Sequence, residues 1–415
     1  MGKKARATRK ISGMLYPRLM KKLRIPRFCV VGSLALACGG SVEDEDTAAS
    51  TVLDGDMHFR TAASMATFCM KYTGVSGDLT LELEDVLATD DLACLESVGG
   101  GLLLRGGNVL VDFSLPNLSS VEGVLMVQDA PALRSIELPA LQQLGDRVIL
   151  TGLPALEDLE LSQVSALPAF HIEAAGEMTD FSLPALEQVE GILAIVGMPK
   201  LKAFSAPKLE RINGDFDFVL NSAQPPFDLG LENLAYVAGD VYMTSNRVLQ
   251  AVEYENLAFV GENLYIDIND ALLSVSMPAL VELGALNLET NDRLERISFP
   301  LLESVEISVY SYDNGVMTDW SMPAVKEVGA GFVILRHQAL ESLEMPSLQT
   351  IHGDLEIYEN DNVAAMGFDV LGRVGGNFFV HSNPRLPQSI VDAMLAQLGS
   401  EGVGGEVDTT GNAED

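Results

Sequence analysis

One recurring phrase constrains this chain more than anything else in it: an apolar residue, Pro, any residue, Leu, and Val or Ile three places on. It reads Leu115-Pro116-Asn117-Leu118 with Val121, then Leu138-Pro139-Ala140-Leu141 with Leu144. Later copies carry Pro184, Pro207, Pro278, Pro300, Pro323 and Pro346. Where Pro is replaced, the frame survives at Ala93, Ser162, Glu232, Glu255 and Asp369. From 93 to 369 the copies lie 22 to 25 residues apart, and 23 is the usual step. A fixed period of this length marks a chain built from stacked supersecondary units.

Each phrase is followed by a Gly corner and a short alternating run. Examples are Gly77-Asp78-Leu79-Thr80-Leu81, Gly123-Val124-Leu125-Met126-Val127, Gly214-Asp215-Phe216-Asp217-Phe218 and Gly353-Asp354-Leu355-Glu356-Ile357. A period of two is the mark of a strand with one side in and one side out. Asn stands behind many of these runs, at Asn221, Asn246, Asn269, Asn291, Asn314, Asn360 and Asn383. Stacked Asn side chains can bond the backbone groups that a repeated bend leaves unpaired. No repeat has room for a 10-residue helical pattern. The prediction is an all-β solenoid of about thirteen 23-residue rungs. Aromatics are only 6% of the chain, so its core is aliphatic. One rung cannot enclose a core, whereas stacked rungs bury a continuous apolar column.

The ends read differently. Residues 1–37 hold ten Lys/Arg and no acid, and the rest holds 16 basic residues against 59 acidic ones. Such a body repels nucleic acid and anionic membrane surfaces. Lys21, Lys22, Arg24 and Arg27 precede an apolar run from Phe28 to Ala37 that is too short to span a bilayer and fits an export signal. Met20 opens a compact signal and is the expected true start. Residues 38–60, with Glu43-Asp44-Glu45-Asp46, read as an acidic tether, 61–412 as the solenoid and 413–415 as a tail. Residues 61–72 are expected to fold over the first rung. Pro387 to Leu398, with apolar groups at helical spacing, is expected as a short capping helix, and 404–408 as a last strand. Cys29 falls in the signal. Cys69 and Cys94, 25 residues apart in an exported chain, are expected to form a disulfide across adjacent rungs.

Two resemblances follow from these residues. Leu36-Ala37-Cys38 before Gly39-Gly40-Ser41 resembles the lipobox of bacterial lipoproteins. It implies that Cys38 becomes the acylated mature N-terminus, and Gly39, rather than Asp, after it implies the outer membrane. The phrases Gly-Asp-Leu-x-Ile-x-x-Asn and Leu-Pro-x-Leu-x-x-Val/Ile resemble the receptor L-domain superfamily over residues 66–412. That resemblance implies a right-handed β-helix related to leucine-rich repeats and a ligand-binding role. The chain departs from those receptors in having one candidate disulfide, no cysteine-rich module and a longer uninterrupted stack.

The search for chemistry returns no catalytic residue, metal site or cofactor motif. His58, His171, His337, His352 and His381 are scattered, and neither a phosphate loop nor a Gly-x-Ser-x-Gly elbow occurs. Asp215, Asp217, Asp240 and Asp267 read as surface carboxylates without a basic partner.

The outward strand positions carry more. Aligned by their inward Leu/Ile, they form one column: Thr80, Leu103, Met126, Ile149, Ala194, Asp217, Tyr242, Tyr265, Asn287, Tyr310, Ile334, Glu356 and Phe379. A neighbouring column holds Tyr312, Arg336, Tyr358 and His381. Six aromatics, Tyr242, Tyr265, Tyr310, Tyr312, Tyr358 and Phe379, gather in the C-terminal half. Aromatic groups on a flat sheet suit protein or glycan recognition, while a cross-strand ladder that only steadies the sheet is the plainer account. The expected function is therefore non-catalytic binding or adhesion at the cell surface, with a membrane attachment through lipid and no nucleic-acid partner. The alternatives are a structural envelope spacer of some 60 Å, at about 4.8 Å per rung, and a polysaccharide-active β-helix enzyme.

Overall fold

The computed structural model describes residues 51–221 and 228–414. The expected export signal, Cys38 and the expected tether up to residue 50 lie outside the described residues. The remainder is an all-β solenoid of about 14 turns whose coils pair only in parallel.

Each coil has three sides. A two-residue strand such as Ser120–Val121 forms the first face, a four-residue strand such as Leu125–Gln128 the second, and a three-residue strand such as Ser135–Glu137 the third. Register is kept from coil to coil: Leu102 pairs with Leu125, and Leu125 with Val148. The recurring Pro phrase is the turn from third face back to first, closed by Leu141 N–H donating to the Leu138 carbonyl at 3.1 Å. Pro suits that place because it needs no donor there and fixes φ. Leu125, Val127, Ile136, Leu138 and Leu141 all point inward and are buried. Each such side chain contributes roughly 1.5–3 kcal/mol, and stacking repeats it along one continuous core.

The Gly-Asp corner has two reasons. A Cβ on Gly214 would stand 2.6 Å from the Gly191 carbonyl carbon of the coil below, so no larger residue lets the coils approach. The next residue, Asp215, accepts the backbone N–H of Asp240 at 3.0 Å, as Asp78 accepts Gly101 and Asp354 accepts Asn377, both at 2.6 Å. The Asp thus supplies an acceptor to a corner N–H.

The Asn column is a ladder inside the core. Asn269 N–H donates to Asn291 Oδ1 and Asn291 N–H to Asn314 Oδ1, both at 3.1 Å, while Asn291 Nδ2 reaches back to the Ile266 carbonyl at 2.8 Å. Its members are fully or nearly fully buried. His337 interrupts it, with its backbone N–H on Asn360 Oδ1 and its ring Nε2 3.0 Å from Ser311 Oγ. Burial pushes that imidazole down to about 4, so it stays neutral near pH 7.

Both ends differ from the sequence boundaries. The first coil starts earlier than residue 61: Val52–Leu53 pairs with Gly74–Val75, and Met57–Phe59 with Leu79–Leu81. Residues 51–59 are therefore solenoid rather than tether, because Leu53, Met57 and Phe59 pack on the core despite the acidic residues among them. Helix α1 (Ala62–Cys69), N-capped by Thr61, follows, and Phe68 packs edge-on to Phe59. Cys69 at its end is disulfide-bonded to Cys94 on the next coil, with Cα atoms 5.5 Å apart. At the other end helix α2 (Gln388–Leu398) buries Val391, Met394 and Leu398, and Val407–Asp408 adds the last strand. The chain beyond Gly411 is tied to the last coil. Asn412 extends the Asn ladder by accepting from Asn383 N–H at 3.2 Å, and Ala413 N–H bonds the Leu386 carbonyl at 2.9 Å.

Candidate functional site

The outer side of the second face is where the sequence placed its aromatics, and the strand register decides which of them meet. One column runs Asp217, Tyr242, Tyr265, Asn287, Tyr310, Val333, Glu356, Phe379, each paired with the next. The neighbouring column runs Thr244, Asp267, Glu289, Tyr312, Leu335, Tyr358, His381. All six expected aromatics lie on this face. Two expected neighbours do not. Ile334 is fully buried in the core and Val333 takes its outward place, while Leu335 takes the place given to Arg336. Phe332, not Val333, fills the inward position after Gly331, which shifts this strand by one. Arg336 stands at the bend with φ 59°, yet its Nη1 donates to Tyr312 Oη at 3.1 Å and its Nε bonds Glu359 at 2.5 Å. His171 also belongs to the first column, between Ile149 and Ala194, where the alignment had passed over it.

The rings are organised as ladders. Tyr242 and Tyr265 stack at 4.7 Å with their planes 3° apart, and Tyr358 stacks on His381 at 5.0 Å and 10°. Coil spacing fixes this geometry, since identical positions on adjacent strands lie about 4.7–4.9 Å apart. Tyr242 Oη donates to Asp240 Oδ2 at 3.0 Å. Burial, then the Asp240 carboxylate, raises the Tyr242 phenol above its ordinary range, and burial with Glu289 pushes Tyr310 up to about 12. Both hydroxyls therefore stay protonated in any ordinary buffer; the Tyr242 proton is committed to Asp240, while its oxygen can still accept.

The carboxylates are not the solvated groups the sequence suggested. Asp215, Asp217, Asp240 and Asp267 are all buried. They are used within the coil stack: Asp240 Oδ1 accepts from the Asn263 backbone N–H at 3.0 Å, and Thr244 Oγ1 donates to Asp267 Oδ1 at 2.5 Å. Burial raises Asp267 to about 6, against the Thr244 hydrogen bond and with a contribution from Glu289 on the next coil. Glu289 is itself raised by burial. Among the described residues no group of three or more His, Cys, Asp and Glu could hold a metal ion.

Sequence reasoning missed a second aromatic group on the first face. Tyr236 and Phe259 stack at 4.8 Å and 9°, and the Arg211 guanidinium lies 4.0 Å above the Tyr236 ring. The repeat period itself held this signal, since 211, 236 and 259 are one coil apart. The N-terminal half of the second face is different in kind: Leu103, Met126 and Ile149 form a small buried apolar cluster of their own with Val124. No protein-family model matches this chain, and no solved structure matches it.

Proposed function

We propose that this chain is a non-catalytic binding or adhesion lipoprotein of the bacterial cell surface, held at the outer membrane through an acylated Cys38. The observation that carries this reading is the gathering of Tyr242, Tyr265, Tyr310, Tyr312, Tyr358 and Phe379 on one sheet, in two adjacent columns. A solenoid holds such columns rigidly, so a ligand that bridges several coils meets contacts already in place. The receptor L-domain resemblance agrees with ligand binding, and the acidic body opposes a nucleic-acid partner.

The stacked geometry narrows the mode of recognition. Tyr242 and Tyr265 each cover one ring surface of the other, so ring edges are what remains for contact. A protein surface or a glycan would thus be met by phenol hydrogen bonds and ring edges, not by flat stacking. The same observation favours the rival reading, a structural spacer, in which the ladder only steadies the sheet.

The test uses the full chain on beads, incubated with intact cells and with a glycan array. Replacing Tyr242, Tyr265 and Tyr310 together by Ser is expected to preserve the melting transition and lower capture at least tenfold. Unchanged capture would remove this face as the site. Cys38→Ala is expected to abolish palmitate incorporation and release the protein from the membrane fraction.

A further inference from the structure

The third face carries a groove that none of the aromatic residues lines. Three of its strands pair in sequence, Ala251–Glu253 with Ser274–Ser276 and that strand with Arg296–Ser298. The next strand, Asp319–Ser321, pairs only onward, with Ser342–Glu344. In the neighbouring coils one residue donates its N–H to the coil below, as Leu273 does to Gln250, Glu295 to Leu273 and Glu341 to Thr318. Among the described residues no such bond joins Thr318 to Glu295. A second bond is missing with it. Tyr254, Met277 and Met322 each donate to the coil above, and Phe299 has no such bond to Ser321.

The core beneath the groove holds an unusually large side chain. The inward position on this face holds Val252, Val275, Ile297, Trp320 and Leu343 in successive coils. Trp320 is the largest of them and fully buried, so its ring must be housed where its neighbours place a Val, an Ile or a Leu. Ile297, one coil before it, is only partly buried.

The opening is a groove of about 940 Å³, within the size of a small-ligand site. Its walls combine hydroxyls and charges with the aliphatic side chains of Val275, Ile297 and Val316. Ser276, Ser298 and Ser321 make no side-chain hydrogen bond among the described residues, and each can donate and accept. Arg296 stands among Glu253, Glu295 and Asp319 without an ion pair to any of them. Hydrogen bonds from Ser342 and then Thr318 hold the Asp319 carboxyl below its ordinary range, so it is an acceptor at neutral pH. The unmade coil-to-coil bonds leave backbone donors and acceptors at the same place.

We propose that this groove binds a neutral, hydroxyl-rich oligosaccharide lying along the coil axis across the three coils of Ser274, Arg296 and Asp319. Vicinal sugar hydroxyls match both halves of the lining, since a carboxylate accepts two of them and a guanidinium donates to two. The three carboxylates oppose a polyanion. The coil spacing of about 4.8 Å is close to one ring of an extended pyranose chain, so successive rings would meet successive coils. This site is separate from the aromatic face and does not depend on it.

Titration calorimetry of the full chain with cellotetraose, chitotetraose and mannotetraose tests the assignment. At least one is expected to bind, with affinity lowered tenfold or more by Arg296→Ala and by Ser298→Tyr, which fills the groove. The Tyr242, Tyr265 and Tyr310 triple variant should bind that oligosaccharide within twofold of the parent. Arg296 is exposed, so Arg296→Ala decides the matter even if Ser298→Tyr fails to fold. The proposal is overturned if none of the three sugars binds, if Arg296→Ala binds as the parent does, or if only a basic peptide occupies the groove.

Discussion

At the scale of single residues, Asp267 is the group whose environment most opposes its usual state. Its pKa is about 6 in the folded chain, against about 3.9 when unfolded. The native state therefore holds the proton more tightly. Below about pH 4 both states are protonated and nothing is lost. As pH rises from 4 through 6 the buried carboxyl must charge, and stability falls by about 2 to 3 kcal/mol. Asp267→Asn should remove this loss, leaving a protein more stable at pH 7 and little changed at pH 4, as read by urea denaturation at both pH values. His337 works in the opposite sense, since its depressed pKa costs stability as pH falls below its unfolded value; the comparison with Asp267→Asn cancels that contribution. An equal midpoint shift at both pH values would show that the Asn acts through packing alone. None of this was legible beforehand. Asp267 is one acid among many in the sequence, and only the coil above and below reveals that it is closed in between Thr244 and Glu289. Tyr242 and Tyr265, by contrast, were placed correctly from alternation alone, because their strands have unambiguous inward neighbours, Val241 and Met243, then Leu264 and Ile266.

At the scale of the coil, the strands and the Asn ladder could be read, while the bend that joins them could not. Just before each ladder position stands a residue with positive φ, and few of them are glycine. Leu220, Ser245, Ile268, Thr290, Asp313, Arg336, Glu359 and Ser382 all have φ between 51° and 59°, whereas Gly152 and Gly197 fill the same place in earlier coils. A left-handed conformation costs an L-residue roughly 1–2 kcal/mol, so sequence rules look for Gly there and overlook the rest. Asp129 and Ala174 adopt the same φ before a buried Ala, so the bend turns the next residue inward in every case, and in the later coils that residue is the ladder Asn or His337. Asn291→Ala should therefore cost about 2 to 4 kcal/mol, because the Asn269 N–H loses its acceptor and the Ile266 carbonyl its donor in a dry core. Thr290→Gly should instead be neutral or stabilising, by up to about 1 kcal/mol, since the relieved strain exceeds the added chain entropy. Denaturant midpoints for the two variants, one residue apart, separate the ladder from the bend; a loss of equal size in both would deny the distinction. The same one-residue sensitivity explains the shift at Phe332. Phe, Val, Ile and Leu follow one another there, all four apolar, and alternation offers no choice between two registers.

At the scale of the whole molecule, stability is a sum of coils and of the interfaces between them, so the chain tolerates changes that a globular core would not. The disulfide and α1 close one end and α2 the other, and between them the coils are near-interchangeable in length. Removing residues 324–346 takes out one 23-residue coil and joins Met322-Pro323 to Ser347-Leu348, which restores the turn phrase intact. It also removes His337, so that Asn314 would meet Asn360 directly and the ladder would run without interruption. The shortened chain should keep a β-type circular dichroism spectrum and a single cooperative melt only a few degrees below the parent. Removing residues 324–335 instead leaves one coil of eleven residues that cannot complete three faces, breaks the stack at that junction, and should leave a protein that aggregates or no longer melts in a single transition. Two deletions that differ by eleven residues, with the longer one tolerated, would be hard to obtain from any fold whose elements are not periodic along one axis. Equal damage from both would mean that the stack depends on long-range contacts other than those between neighbouring coils.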